Sequence, residues 1–269
     1  MSEPDRRFGA CGRFLNTLLL AGCGGGLPLL HPAQTLGPGD LRAAAGFSAN
    51  VATGPLADSL AAADHSSLPV LGPDAKAALV AASIAPSLAP WVGARVGISH
   101  RAEGGLTYTG RAARADVRRS FSLSRNWALS IGAGGSAVLD SRQTTETLSD
   151  FRLGPVSGWG ADAPLLVGYA SDGDLYMIWL GARGGWEQVD ATAQLTVQPP
   201  FLVTTPPYRV SATRFWGGGL LGAAVGFRHV HVAMEIDVSY GSVTGNVGAV
   251  HAQVAGLVLT PASCLWWDF

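Results

Sequence analysis

His229, His231, Glu235 and Asp237 lie within one stretch in which apolar and polar residues alternate. In an extended chain, side chains two apart point the same way. These four therefore share one face with Ser239, while Val230, Val232, Met234, Ile236, Val238 and Tyr240 share the other. A His-x-His pair on a strand can supply two ligands to a metal ion. The same groups can instead belong to a network of opposite charges. Arg95, Arg114, Asp116 and Arg118 occupy polar faces of other alternating stretches, and charges held away from water need partners. The network is the preferred reading; neither a metal nor another cofactor is expected. Ser239, His231 and Asp237 have the residue types of a hydrolase triad, but three residues on one straight strand cannot all touch, and a triad is set by geometry. No catalytic residue is assigned and no enzymatic activity is expected. Gly217, Gly218, Gly219 and Gly222 lack the strand-then-helix setting of a nucleotide loop and read as positions of close strand packing.

The elements that must position these residues follow from composition. Hydrophobic residues make up 48% of the chain and charged residues 14%, against about 25% charged in ordinary soluble domains. Mean hydropathy is +0.25, yet no run approaches the roughly 20 apolar residues of a membrane helix. The best internal candidate, residues 217–227, runs into Arg228. A membrane β-barrel is apolar without long apolar runs, because only every second residue faces lipid. The net charge of −1 and the lack of a strongly basic segment argue against nucleic acid as a partner.

Arg6, Arg7 and Arg13 precede a short apolar core at residues 14–20, followed by Leu20-Ala21-Gly22-Cys23. This has the form of a secretory signal, and the four-residue motif resembles the lipobox of bacterial lipoproteins. The resemblance implies cleavage before Cys23, a diacylglycerol on its thiol and, since Gly24 follows, delivery to the outer membrane. Residues 1–22 then form the signal peptide, 23–90 a tether with an N-terminal helical segment, and 91–269 a barrel. Cleavage removes Cys11 and lipid occupies Cys23, so Cys264 stands alone and no disulfide is expected.

Residues 24–39, rich in Gly and Pro, read as the tether, and residues 40–53 alternate weakly. Residues 56–63 and 74–89 are Ala-rich with helical spacing; Asp74 is a fitting N-cap and Pro86 and Pro90 end the run. From Trp91 the period is two. Gly104-Gly105 reads as a turn, and strands are expected near residues 91–99, 106–118, 127–139, 163–170, 175–187, 209–227, 229–240 and 247–260. Asp172-Gly173 between apolar runs is a hairpin signal. Long gaps at 140–160 and 188–208 fit outer loops and the short turns between them fit the periplasmic side. The Trp91 strand then rises from the periplasm and the last strand returns there. Arg111 falls on the lipid-facing parity of its strand and must lie near a rim, since a midplane Arg costs about 2–4 kcal/mol. The 175–187 strand is apolar on both faces, which suits a packed interior. Trp127, Trp186, Trp216, Tyr240, Trp266 and Trp267 fit either interfacial girdles or core packing.

This architecture over residues 91–269 resembles the small bacterial outer-membrane β-barrel proteins, many of which end in an aromatic residue, as Phe269 does here. The last strand is nevertheless expected to stop near Thr260, short of the tail. The expected fold is all-β: a closed antiparallel transmembrane β-barrel of about eight strands, within a range of eight to ten, with a short N-terminal helical segment. Its expected partners are membrane lipid, the outer-membrane assembly machinery, and an unidentified protein or ligand at the outer loops beginning at Asp140 and Gln188. An eight-stranded lumen is filled by side chains, so no general pore is expected, and the role would be structural or one of surface interaction. Two alternatives stand beside it: a lipid-anchored soluble periplasmic β-sandwich or barrel that binds a ligand or partner, and an outer-membrane enzyme acting on lipid.

Overall fold

The computed structural model of the chain describes residues 26–64, 71–140, 144–148, 151–195 and 207–269. The signal segment and Cys23 lie outside the described residues. In chain order the elements are β1 (Leu41–Ala49), β2 (Val51–Ala52), α1 (Pro55–Asp64), α2 (Leu71–Ser83), β3 (Leu88–Ser99), β4 (Ala102–Tyr108), β5 (Ala112–Ser122), β6 (Trp127–Asp140), β7 (Thr144–Leu148), β8 (Phe151–Ala170), β9 (Tyr176–Leu195), β10 (Tyr208–Phe227), β11 (Val230–Val247) and β12 (Val250–Asp268). Every strand pairs antiparallel with its neighbour. The ring closes through β1, whose Gly46 faces Cys264 of β12 on one side and Trp91 of β3 on the other. Ten strands make the ring; β2 hangs on β12 and β7 on β8.

The count exceeds eight for two local reasons. Residues 106–118 are not one strand: Gly110, at φ 81°, turns the chain between β4 and β5, a conformation glycine adopts without steric cost. The weakly alternating Leu41–Ala49 is a full wall strand, so the barrel begins at Leu41 and not at Trp91. Gly104 and Gly105 lie inside β4, and the turn falls at residues 100–101. β1 therefore rises from the short-turn end and β3 descends, the reverse of the direction expected for the Trp91 strand. The final strand also does not stop near Thr260; it runs on to Asp268.

The two ends of the barrel differ. Turns at residues 100–101, 123–126, 171–175 and 228–229 share one end with Asp40 and Phe269. The other end carries both helices and the connections at residues 141–150 and 196–207. Short turns mark the periplasmic side and longer connections the outside, so the helices sit at the outer end. The described parts of the stretches read as outer loops are largely strand: β8 starts at Phe151 and β9 continues to Leu195.

A ten-stranded lumen is wider than wall side chains alone can fill. This chain fills it from within. Residues 26–39 are not a free tether but an irregular segment inside the barrel, with Leu29, Leu30, His31 and Ala33 all buried. The segment enters near Ser48, whose hydroxyl donates to the Gly26 carbonyl at 2.8 Å. It reaches the short-turn end at Gly39, whose N–H donates to the Gly97 carbonyl at 2.9 Å. α2 occupies the outer part and packs against β8 through β12. Its Ala77, Ala78, Leu79, Val80 and Ala82 are fully buried, and of residues 74–83 only Lys76 is exposed.

Candidate functional site

Alternation on β3, β4, β5, β8 and β9 sends one set of side chains inward, and the charged ones meet. Arg118 Nε lies 2.7 Å from Glu103, which also binds Arg95. Arg95 reaches Asp116 at 2.6 Å, and Asp116 pairs with Arg114. Arg114 reaches Asp162 at 2.8 Å, and Asp162 closes the chain on Arg183. All seven side chains are nearly excluded from solvent. An isolated charge in such a place is very costly, whereas a paired and hydrogen-bonded one is tolerated. Charges of alternating sign meet that condition.

The network also holds the internal segment. An irregular chain in a closed lumen has no ladder for its N–H and C=O groups, and those groups must be satisfied somehow. Glu235 accepts from the Leu29 and Leu30 amides at 2.9 and 3.0 Å and from Trp179 Nε1 at 2.9 Å. Glu103 accepts from the Leu36 amide at 2.8 Å. Arg118 donates to the Pro32 and Gln34 carbonyls, and Arg183 donates to the Leu27 carbonyl at 2.7 Å. His31 sits on this segment, away from the wall strands. It is fully enclosed, with the Arg118, Arg95 and Arg114 cations around it. Nearer the short-turn end, Arg42 pairs with Asp268 at 2.6 Å and stacks on Trp266, beside the His231 ring.

The sequence-derived set is thus only partly brought together. Arg95, Arg114, Asp116 and Arg118 share one cluster. Glu235 faces the lumen but serves the segment's backbone, and His231 meets the Asp174 carbonyl at 2.9 Å. Asp237 faces the lumen and makes no ion pair among the described residues. His229 is exposed in the turn before β11 and lies outside the lumen, because alternation starts only at Val230. Arg111 is a correction of the same kind. It lies in the β4–β5 turn, buried rather than lipid-facing, and donates to the Ala82 carbonyl at the end of α2. Glu103, Asp162, Arg183, Glu187 and Arg214 join the lumen without belonging to the sequence-derived set. Arg183 and Glu187 share the inward parity of Met177 and Trp179, a signal present in the sequence. A cavity of about 100 Å³ remains between Gly26, the foot of α2 at Ile84, and Arg214, Asp237, Glu187 and Trp216.

The outward face obeys a different rule at each height. On β8 it runs Trp159, Ala161, Ala163, Leu165, Val167, Tyr169. Ten steps at ~3.3 Å, inclined by ~40°, give a band about 25 Å tall. Aromatic clusters bound it: Trp159 against Trp186 and Trp186 near Phe215 at the outer edge, Trp127 against Tyr169 and Tyr169 on Tyr176 at the other. Above the outer edge the pattern inverts. Gln188, Asp190 and Thr192 face out, while Val189, Ala191 and Ala193 face in and pack with Leu79, Val80 and Ala82 of α2. An apolar band of membrane height between two aromatic girdles, on a closed barrel, has one setting.

The chain is an outer-membrane β-barrel. No family model matches it and no curated protein matches it. Among solved structures it is similar to a major outer membrane protein from Thermus thermophilus, at 10% identity and a TM-score of 0.31, covering 85% of this chain and 99% of that one. It is similar to Neisserial surface protein A, at 10% identity and a TM-score of 0.26, covering 86% and 96%. It is also similar to Ail, the attachment invasion locus protein of Yersinia pestis, at 10% identity and a TM-score of 0.25, covering 86% and 99%.

Proposed function

We propose that this barrel is a non-enzymatic, sealed outer-membrane protein whose role is structural or one of interaction at the cell surface. The observation that carries the reading is the double filling of the lumen, by residues 26–39 at membrane height and by α2 above it. A further support is the collar that β8 to β12 raise beyond the outer girdle. On β9 it comprises residues 187–195, about 20 Å tall at the same rise and tilt. Its outer face carries Gln188, Asp190, Arg209 and Asn246, a hydrated surface held out from the membrane. A soluble sandwich has no use for Val232, Met234, Val225 and Phe227, which lie on the outside. The test is conductance of the purified protein in planar bilayers. A closed lumen predicts no steady current, and a steady current from the unmodified protein defeats the reading.

Lipidation of Cys23 belongs to the same proposal, under a geometric condition. Three residues reach at most about 11 Å. Gly26 sits inside the wall beside Ser48, and from Ser48 to Leu41 at the short-turn end is roughly 23 Å along β1. A lipid in the inner leaflet and a fully seated segment therefore exclude one another. Palmitate labelling of the wild type and of Cys23→Ala decides whether the thiol is acylated.

A further inference from the structure

Guanidiniums inside this barrel find anions: Arg42, Arg95, Arg114, Arg118, Arg183 and Arg214 each reach a carboxylate. The outward face is different. Among the described residues, Arg119 is the only charged side chain on that face between the two aromatic girdles. On β5 it stands opposite Ile131. Ile131 lies four residues above the girdle residue Trp127 on β6, about 10 Å of height at ~3.3 Å per residue and a tilt of ~40°. The Arg119 side chain turns back toward the short-turn end, its guanidinium 5.6 Å from the ring centre of the exposed Phe121. A long basic side chain takes that course when its stem lies in the apolar band and its head reaches the headgroup layer.

A second guanidinium adjoins it. Arg101 lies in the β3–β4 turn, where its carbonyl accepts from the amide of Ser120, the residue after Arg119, at 2.8 Å. Ala102, the residue after Arg101, is the cross-strand partner of Arg119. Both arginines are exposed, and neither makes an ion pair among the described residues. Like charges on adjoining strands repel, and an anion held between them removes the repulsion. The carboxylates at this end do not supply it. Asp172 pairs with Arg125 at 3.4 Å and Asp268 with Arg42 at 2.6 Å. Asp174 sits with Asp172 in the β8–β9 turn, beyond β6, and Asp40, across β3, turns its carboxylate toward Gly37. The anion that does lie at this height in a membrane is a lipid phosphate. A zwitterionic headgroup would also bring an ammonium, which two arginines repel.

We propose that Arg101 and Arg119 bind the phosphate of an anionic phospholipid in the periplasmic leaflet, whose acyl chains lie against Val117 and Leu106 on the outward face of β5 and β4. The site goes beyond the sealed-barrel reading, which stands with any lipid around the wall. The experiment is native mass spectrometry of the full-length protein in a neutral detergent, with dimyristoyl phosphatidylglycerol and dimyristoyl phosphatidylcholine at equal concentration. One basic residue at an anionic membrane surface gives about a fivefold preference, so phosphatidylglycerol should bind at least fivefold better. Arg101→Gln combined with Arg119→Gln should bring the ratio close to one while keeping the heat-dependent gel mobility of a folded barrel. Arg209→Gln, on the collar, should leave the ratio unchanged, and millimolar inorganic phosphate should not displace the lipid. If the double variant fails to fold, the wild-type ratio and the phosphate competition decide. Equal binding of the two lipids, a preference kept in a folded double variant, an equal loss in Arg209→Gln, or displacement by free phosphate would each overturn the assignment.

Discussion

Glu235 is the point at which one substitution should loosen the internal segment while leaving the wall intact. Its carboxylate accepts the Leu29 and Leu30 amides at 2.9 and 3.0 Å and Trp179 Nε1 at 2.9 Å. Hydrogen bonds to a charged acceptor contribute about 1.5–3 kcal/mol each. Truncation to alanine strands three buried donors, but water entering the vacated space recovers part of the loss. A net cost of roughly 3 kcal/mol to the seated state follows, somewhat more than a hundredfold in the seated-to-released ratio. Glu235→Gln keeps one acceptor oxygen and should cost about half as much. The wall should survive, because β11 keeps its full ladder to β10 and β12. The assay is amide hydrogen exchange at residues 27–36, where protection reports the free energy of local opening. Leu29 and Leu30 should lose about two orders of magnitude of protection in Glu235→Ala. Leu36, held by Glu103 at the far end, should follow if the segment moves as one piece. Unchanged protection at Leu29 and Leu30 in a folded Glu235→Ala barrel would refute the claim that this carboxylate seats the segment.

Ile236→Arg, in the apolar band, should destabilise the barrel by about 2–4 kcal/mol, whereas Asn246→Arg, on the collar, should stay near zero; urea unfolding midpoints in lipid vesicles separate them. Leu79→Ala, at a fully buried site on α2, should cost about 2–5 kcal/mol, read as a lower midpoint for loss of helical signal.

Much of the wall is legible in the sequence because alternation is a property of the chain itself. On β11 the lipid-facing set from Val230 to Tyr240 and the inward Glu235 and Asp237 follow from parity alone. Parity does not say which medium each face meets. Beyond Trp186 the alternation continues unchanged, but the apolar face turns to a helix and the polar face to water. That inversion makes Gln188 read as the start of a loop. β1 escapes the pattern because Ala43, Ala44 and Ala45 give almost no contrast between faces. The internal segment is illegible for a deeper reason. Its Gly and Pro content suits a tether equally well, and the groups that fix it, such as Glu235, lie some 205 positions away. Two of the seven members of the charge network also escape notice, since Glu103 adjoins an expected turn and Asp162 borders an expected gap.

A nitroxide scan along β11 tests the central claim most directly. Probes at residues 232, 234, 236, 238 and 240 should collide with oxygen and not with a water-soluble nickel chelate, while those at 242, 244 and 246 should do the reverse; probes at 233, 235 and 237 should be shielded from both. Nickel access at 232 to 238, or free oxygen access at 235 and 237, would contradict a lipid-facing wall around a packed interior.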